Sequence, residues 1–192
     1  MRQLALEISP PPQPSLENFV PGANAELLAK LREFRSGRLR ETVLYLWGAP
    51  GSGKSHLLRA CTGGVDDVQA LVETDQIALF NKINEARQSG GQVLAAGSAP
   101  PAQLPLREDL RTRLAWGLVY EVKTLNDEER ATYLRGEAGR RGLALPEDVV
   151  AYLLTRMKRD LRSLTAVLDR LDQFSLETKR PITLPMLKDA LK

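Results

Sequence analysis

Eight consecutive residues, Gly48-Ala49-Pro50-Gly51-Ser52-Gly53-Lys54-Ser55, have the types and spacing needed to hold phosphate, matching G-x-x-x-x-G-K-[ST]. Gly48, Gly51 and Gly53 permit backbone angles closed to other residues, so successive N–H groups can turn inward around a diphosphate. Pro50 and Ser52 complete that loop. Lys54 can reach the β-phosphate and any γ-phosphate, and the Ser55 hydroxyl can ligate Mg²⁺. His56 follows directly and is counted with the loop; lacking a second His or Cys at metal spacing, it can equally pack or face solvent. The chemistry expected here is binding of a nucleoside phosphate, ADP or ATP, with Mg²⁺.

The elements around the loop suit that task. An apolar run, Val43 to Trp47, stops at the glycines and restarts with Leu57, Leu58 and Cys61 at helical spacing, so strand, loop and helix succeed one another. The helix adds its positive N-terminal end to the cradle. Upstream, Phe19-Val20-Pro21-Gly22 leads into a helix over 24–36 with Leu27, Leu28, Leu31 and Phe34 on one face. Residues 1–22 form an extended arm interrupted by four prolines between Pro10 and Pro14. Its first part, Gln3-Leu4-Ala5-Leu6-Glu7-Ile8, fits either a short edge strand or a linear peptide whose Leu4 and Leu6 fill a partner's pocket while Gln3 donates a hydrogen bond.

Downstream, the alternation of strand and helix predicts a parallel sheet. Thr74 is expected to cap a helix ending near Arg87, with Ile77, Phe80 and Ile83 inward, and Gly90-Gly91 to close it. A strand is expected over 92–98, a short helix over 107–114 and a strand over 117–122. One element is missing. Only Cys61-Thr62-Gly63-Gly64-Val65 separates the loop helix from Asp66-Asp67, where a parallel crossover alone takes about a dozen residues. Either a deletion has removed a sheet strand, or two stretches are joined across residues the chain does not contain. The second is expected, with Cα atoms within 62–65 much farther apart than the ~3.8 Å of a peptide link.

From Asn126 the pattern is helical throughout. Asn126 and Glu129 make a capping box, Gly142 closes that helix, Pro146 opens the next, and Leu161 to Leu171 stripe a third. Thr183 and Pro185 start a fourth. The expected organisation is an arm (1–22), an α/β domain (23–125) and a small all-α lid (126–192).

Composition sets further bounds. With 192 residues, 43% of them apolar, and a net charge of +3, the chain can bury a core and has no basic tail demanding nucleic acid. Direct DNA contact is left open. No apolar run approaches the roughly 20 residues of a membrane span, so a cytoplasmic protein without a membrane partner is expected. A single cysteine, Cys61, excludes an internal disulfide and a Cys-based metal site.

Taken together these pieces resemble the AAA+ nucleotidases of the DnaA-like replication-initiator branch, over almost the whole chain. Leu110-Arg111-Thr112-Arg113-Leu114-Ala115-Trp116-Gly117-Leu118 is similar to the box that carries their arginine finger. Asp160-Leu161-Arg162-Ser163-Leu164 resembles the start of their sensor-2 helix, and Gln3-Leu4-Ala5-Leu6 a peptide that binds the sliding clamp of DNA polymerase III. The resemblance implies an α/β AAA+ fold in which Arg113, with Arg111 as second candidate, acts on ATP held by a neighbouring DnaA. A competing reading of Arg113 is an i,i+4 pair with Asp109. The resemblance further implies that Arg162 contacts the chain's own nucleotide, that Phe19, Val20 and Pro21 line the adenine pocket, and that Ser98 is the sensor-1 residue. Asp66 would hold Mg²⁺ through water, and Asp67 stands where the base for hydrolysis would be. Two functions are implied: a clamp-docked adaptor that restrains initiation by stimulating hydrolysis of DnaA's ATP, its own hydrolysis being weak, or an autonomous ATPase such as a helicase loader or replication remodelling subunit. The resemblance implies head-to-tail contacts, and a homodimer is left open.

Overall fold

The computed structural model describes residues 13–61, 63–157, 160–178 and 181–190, without the side chains of Arg162 and Ala190. The expected clamp-binding residues Gln3, Leu4 and Leu6 lie outside the described residues. The chain divides into two compact units, one spanning Gln13–Thr124 and the other beginning at Leu125.

The first unit is built on three parallel strands, β1 (Val43–Trp47), β2 (Val93–Gly97) and β3 (Leu118–Glu121), in the order β2-β1-β3. Val43 pairs with Val93 and Leu44 with Leu118. Side chains alternate across the sheet, so Leu44, Leu46, Leu94 and Ala96 meet α1 (Ala25–Arg35) and α2 (Lys54–Ala60) through Leu27, Leu28, Leu31, Leu57 and Leu58. Val43, Tyr45, Val93 and Ala95 face the other way, onto Leu79 and Ile83 of α3 (Glu73–Ser89) and Leu110 and Leu114 of α4 (Glu108–Leu114). Burial on both faces explains the unbroken apolar runs of β1 and β2. Leu16 is buried in the first of these cores, so the segment after Pro12 packs as part of the α/β unit.

Two local expectations are corrected. Helix α3 begins at Glu73, ahead of Thr74, and its N-cap Val72 makes no side-chain cap; Glu73 and Asp75 supply negative charge to the first turn instead. Its buried residues are Leu79, Ile83 and Ala86, whereas Ile77 is 40% exposed and Phe80 only partly buried.

Around the short connection, Thr62 is outside the described residues. The Cys61 and Gly63 amides both donate into the last turn of α2, to Leu57 and Leu58 carbonyls. Val65 makes a one-residue parallel bridge to Ala95: its N–H donates to Leu94 O at 3.0 Å and its carbonyl accepts from Ala96 N at 2.8 Å. Main-chain bonds thus hold the chain at Gly63 and at Val65; Thr62, part of the stretch expected to carry a wide Cα separation, lies outside the described residues. A 3-10 turn, Val68–Ala70, follows before α3.

Among the described residues the second unit holds four helices: α5 (Asp127–Arg140), α6 (Glu147–Arg156), α7 (Leu161–Thr178) and α8 (Leu184–Ala190). Asn126 and Glu129 form the reciprocal capping box. Leu134, Val149, Leu153, Leu164, Leu168, Leu171 and Leu187 make its core. Among the described residues no helix is long and apolar enough to cross a membrane.

Candidate functional site

The phosphate-binding loop turns between the C-terminal end of β1 and the start of α2, as its sequence requires. Gly48, Gly51 and Gly53 have φ of +152°, +78° and +103°. A Cβ at Gly48 would come within 2.6 Å of the Val122 carbonyl oxygen, and one at Gly53 within 2.7 Å of the Phe19 ring. Both positions therefore need glycine. The Lys54 ammonium donates to Gly48 O at 2.8 Å and to Ala49 O at 3.1 Å, which aims it across the loop's own concavity. Burial pulls its pKa down, and the carboxylates of Asp66 and Asp67 oppose that shift. Ser52 is 7% exposed, and its Oγ is buried with no hydrogen-bond partner among the described residues.

A cationic lysine in a glycine turn with an orphaned hydroxyl fits a diphosphate, which would supply the missing acceptor. Ser55 is exposed on the first turn of α2 and available to a metal. Among the described residues no three His, Cys, Asp or Glu side chains cluster, so a bound Mg²⁺ would depend on phosphate oxygens and water beside Ser55 and Asp66.

His56 is engaged by the segment before α1. Its Nε2 is 2.9 Å from the Ser15 carbonyl oxygen, and its ring lies 5.6 Å from that of Phe19 at a tilt of 53°. Phe19 is thereby laid against Gly53, while Val20 is half-buried and Pro21 exposed. Buried Asn24 ties this segment down, donating to Pro21 O and Lys123 O and accepting from Lys123 N.

Asp66 and Asp67 follow the one-residue bridge. Asp67 has φ +48°, a left-handed conformation rare outside glycine, and its N–H donates to Asp66 Oδ1. Gln69 links this pair to the tip of β2: its Nε2 donates to Asp67 Oδ1 at 3.1 Å, and its Oε1 accepts from Ser98 N at 3.0 Å. Gln69 had no motif to announce it.

Arg111 and Arg113 stand on α4. Asp109 is engaged by Arg107, not Arg113: the Arg107 guanidinium donates from Nε at 3.2 Å and from an Nη at 2.9 Å. That pairing holds the Asp109 carboxyl below its usual range. Arg113 instead lies on aromatic rings, its Cζ 3.5 Å from the centroid of Trp116 and 5.3 Å from that of Phe80. The Arg111 guanidinium reaches Ala102 O at 3.5 Å. The Nε atoms of both arginines are buried and have no hydrogen-bond partner among the described residues. A recess of about 640 Å³ opens beside Arg113, lined also by Phe80, Arg107, Glu108, Asp109 and Thr112. Trp116 follows Arg113 by three residues, the one signal in sequence that the two could meet. The Arg162 side chain lies outside the described residues.

Comparison with known proteins bears on the fold and the helical unit. Residues 127–191 match the family model described as "Hda, lid domain". A Haemophilus influenzae protein described only as uncharacterized is 32% identical over 228 positions, covering 99% of this chain and 98% of that protein. Since 228 exceeds the chain's 192 residues by 36, at least that many positions of the alignment have no counterpart here. Domain III of the Thermotoga maritima replication initiation protein DnaA superposes with a TM-score of 0.77 at 22% identity, covering 95% of this chain and 98% of that one. AMPPCP-bound DnaA from Aquifex aeolicus gives 0.73 at 23% identity, over 88% of this chain and 68% of that one.

Proposed function

The chain belongs to the Hda family, with a DnaA-like AAA+ fold and a helical lid, and from that premise we propose that it is a nucleotide-bound adaptor regulating replication initiation. In this reading the glycine loop, Lys54 and Ser55 hold ADP or ATP with Mg²⁺. Gln3, Leu4 and Leu6 dock the chain on the DNA polymerase III sliding clamp. Arg113 then reaches ATP bound to a neighbouring DnaA and stabilises charge developing on its γ-phosphate, where a finger supplied in trans is worth about 10³–10⁵ in rate. Hydrolysis returns DnaA to its ADP form and prevents over-initiation.

The observation that carries this reading is that Asp109 is taken by Arg107, which leaves Arg113 without a carboxylate partner among the described residues. An arginine spent on an intrahelical ion pair has nothing to offer another molecule; this one has its charge unspent. The one-residue bridge at Val65 supports one further point. The chain's own hydrolysis is weak, because Asp66 and Asp67 are held by a loop where a strand is needed to fix a water-activating base.

The test is stimulation of DnaA's ATP hydrolysis in the presence of clamp-loaded DNA. Arg113→Ala should abolish stimulation and leave nucleotide and clamp binding unchanged. Gln3→Ala with Leu4→Ala should remove clamp binding alone. Brisk hydrolysis by the isolated chain, indifferent to DnaA and clamp, would favour the autonomous ATPase instead.

A further inference from the structure

We propose that Trp116 is a positioning residue for Arg113, fixing the direction in which its guanidinium leaves α4; the inference rests on the reading of Arg113 as a finger acting in trans. Two guanidinium groups stack on this indole. Arg113 Cζ lies 3.5 Å from the ring centroid and Arg87 Cζ, from the last turn of α3, lies 4.4 Å from it. Two planar cations that close to one centroid would overlap on a single face, so they occupy opposite faces. Phe80 adds a third ring, 5.3 Å from Arg113. The Arg113 Nε is buried and unpaired among the described residues, so its inner edge is held by ring faces and not by an acceptor.

Trp116 is not there to anchor the helix. Leu110 and Leu114, both 0% exposed, already fix α4 to the sheet, while Trp116 is 46% exposed. An indole left half in water and packed between two cations is spent on them. An arginine free in solvent samples many rotamers, and one presented to a partner's phosphate must lose most of them. The stack removes that loss before the partner arrives. It does so without a carboxylate, which would neutralise the charge to be delivered. Arg87 completes the arrangement by occupying the far face of the ring, so that the indole cannot swing away.

Two measurements test this. The first needs no partner. In the full chain labelled with ¹⁵N-arginine, the Arg113 Nε–H resonance should be displaced by the Trp116 ring current; Trp116→Ala should return it to the exposed-arginine position, and Trp116→Phe should keep part of the displacement. The second is stimulated ATP hydrolysis by DnaA. Trp116→Ala should lower the saturating rate about ten- to a hundredfold, with the half-saturating concentration of this chain unchanged. Trp116→Phe should restore the rate to within about threefold of the natural protein, because an aromatic face remains. An undisplaced Nε–H resonance in the natural protein overturns the proposal, as does a Trp116→Ala chain that stimulates normally or changes only the half-saturating concentration. If Arg113→Ala abolishes stimulation while Trp116→Ala does not, the positioning role alone has failed. If Arg113→Ala stimulates normally, the finger reading has failed and this inference with it.

Discussion

His56 Nε2 lies 2.9 Å from the carbonyl oxygen of Ser15, so the chain's single histidine ties the segment before α1 to the helix that follows the phosphate loop. A carbonyl oxygen only accepts, so the imidazole proton must sit on Nε2. The bond orders Phe19 against Gly53 of the phosphate loop. His56→Ala should lower stability by about 1 kcal/mol, the usual net loss for one hydrogen bond, and weaken ADP binding severalfold. Thermal unfolding and isothermal titration with ADP measure the two effects. Unchanged ADP affinity would show that Phe19 is only packing.

Lys54→Ala should lose nucleotide altogether, since its ammonium is held against the loop's own carbonyl oxygens, where a phosphate would sit. Gly53→Ala should weaken binding for a different reason: φ of +103° together with a 2.7 Å approach to Phe19 forces the loop or the ring to move. A strained non-glycine residue of this kind costs of order 1–3 kcal/mol. Equilibrium binding of a fluorescent ADP analogue, read beside the unfolding midpoint, separates the lysine effect from the glycine effect.

The Arg107–Asp109 pair makes a pH-dependent contribution. Its carboxyl is held below the usual range, so the stabilisation is complete above the ordinary carboxylate pKa of about 3.9 and is lost as pH falls through the lower folded value. Arg107→Ala should return the Asp109 pKa to the ordinary range, as followed by carbon NMR of its carboxyl group. The same substitution frees Asp109 for Arg113 four residues on, and should therefore reduce stimulation of DnaA. A normal rate in Arg107→Ala would count against a role for the unneutralised Arg113.

In the lid, Leu168→Ala should destabilise by about 2–5 kcal/mol, because that residue is 0% exposed at the centre of the four-helix core. Asn126→Ala should cost about 1 kcal/mol through loss of the α5 cap. Urea unfolding measures both, and an effect of Asn126→Ala as large as that of Leu168→Ala would contradict the ranking.

The phosphate loop and the lid were legible in the sequence because their signals are local. Glycines at fixed offsets, a capping box, and Gly142 with φ +70° after α5 each act within a few residues. Helix α3 was misread because it is weakly amphipathic: Ile77-Phe80-Ile83 and Leu79-Ile83-Ala86 both have helical spacing, and only the sheet decides which stripe turns inward. The stack on Trp116 was hidden for the same kind of reason. Arg113 is three residues away, but Arg87 and Phe80 come from another helix, and no sequence interval encodes their meeting. The competing pairing of Asp109 with Arg113 failed in a different way. Their spacing was right, but Arg107 offers a two-pronged fork two residues earlier.

Val65 stands alone where a neighbouring strand would run, and two main-chain bonds hold it. Its own amide and that of Ala96 are therefore a pair of reporters: deuterium uptake at both, with β1 still protected, marks a detachment of Asp66 and Asp67 that leaves the sheet standing. A ligand that grips those acids should slow uptake at the two sites together, so metal occupancy can be read from backbone amides with no turnover at all.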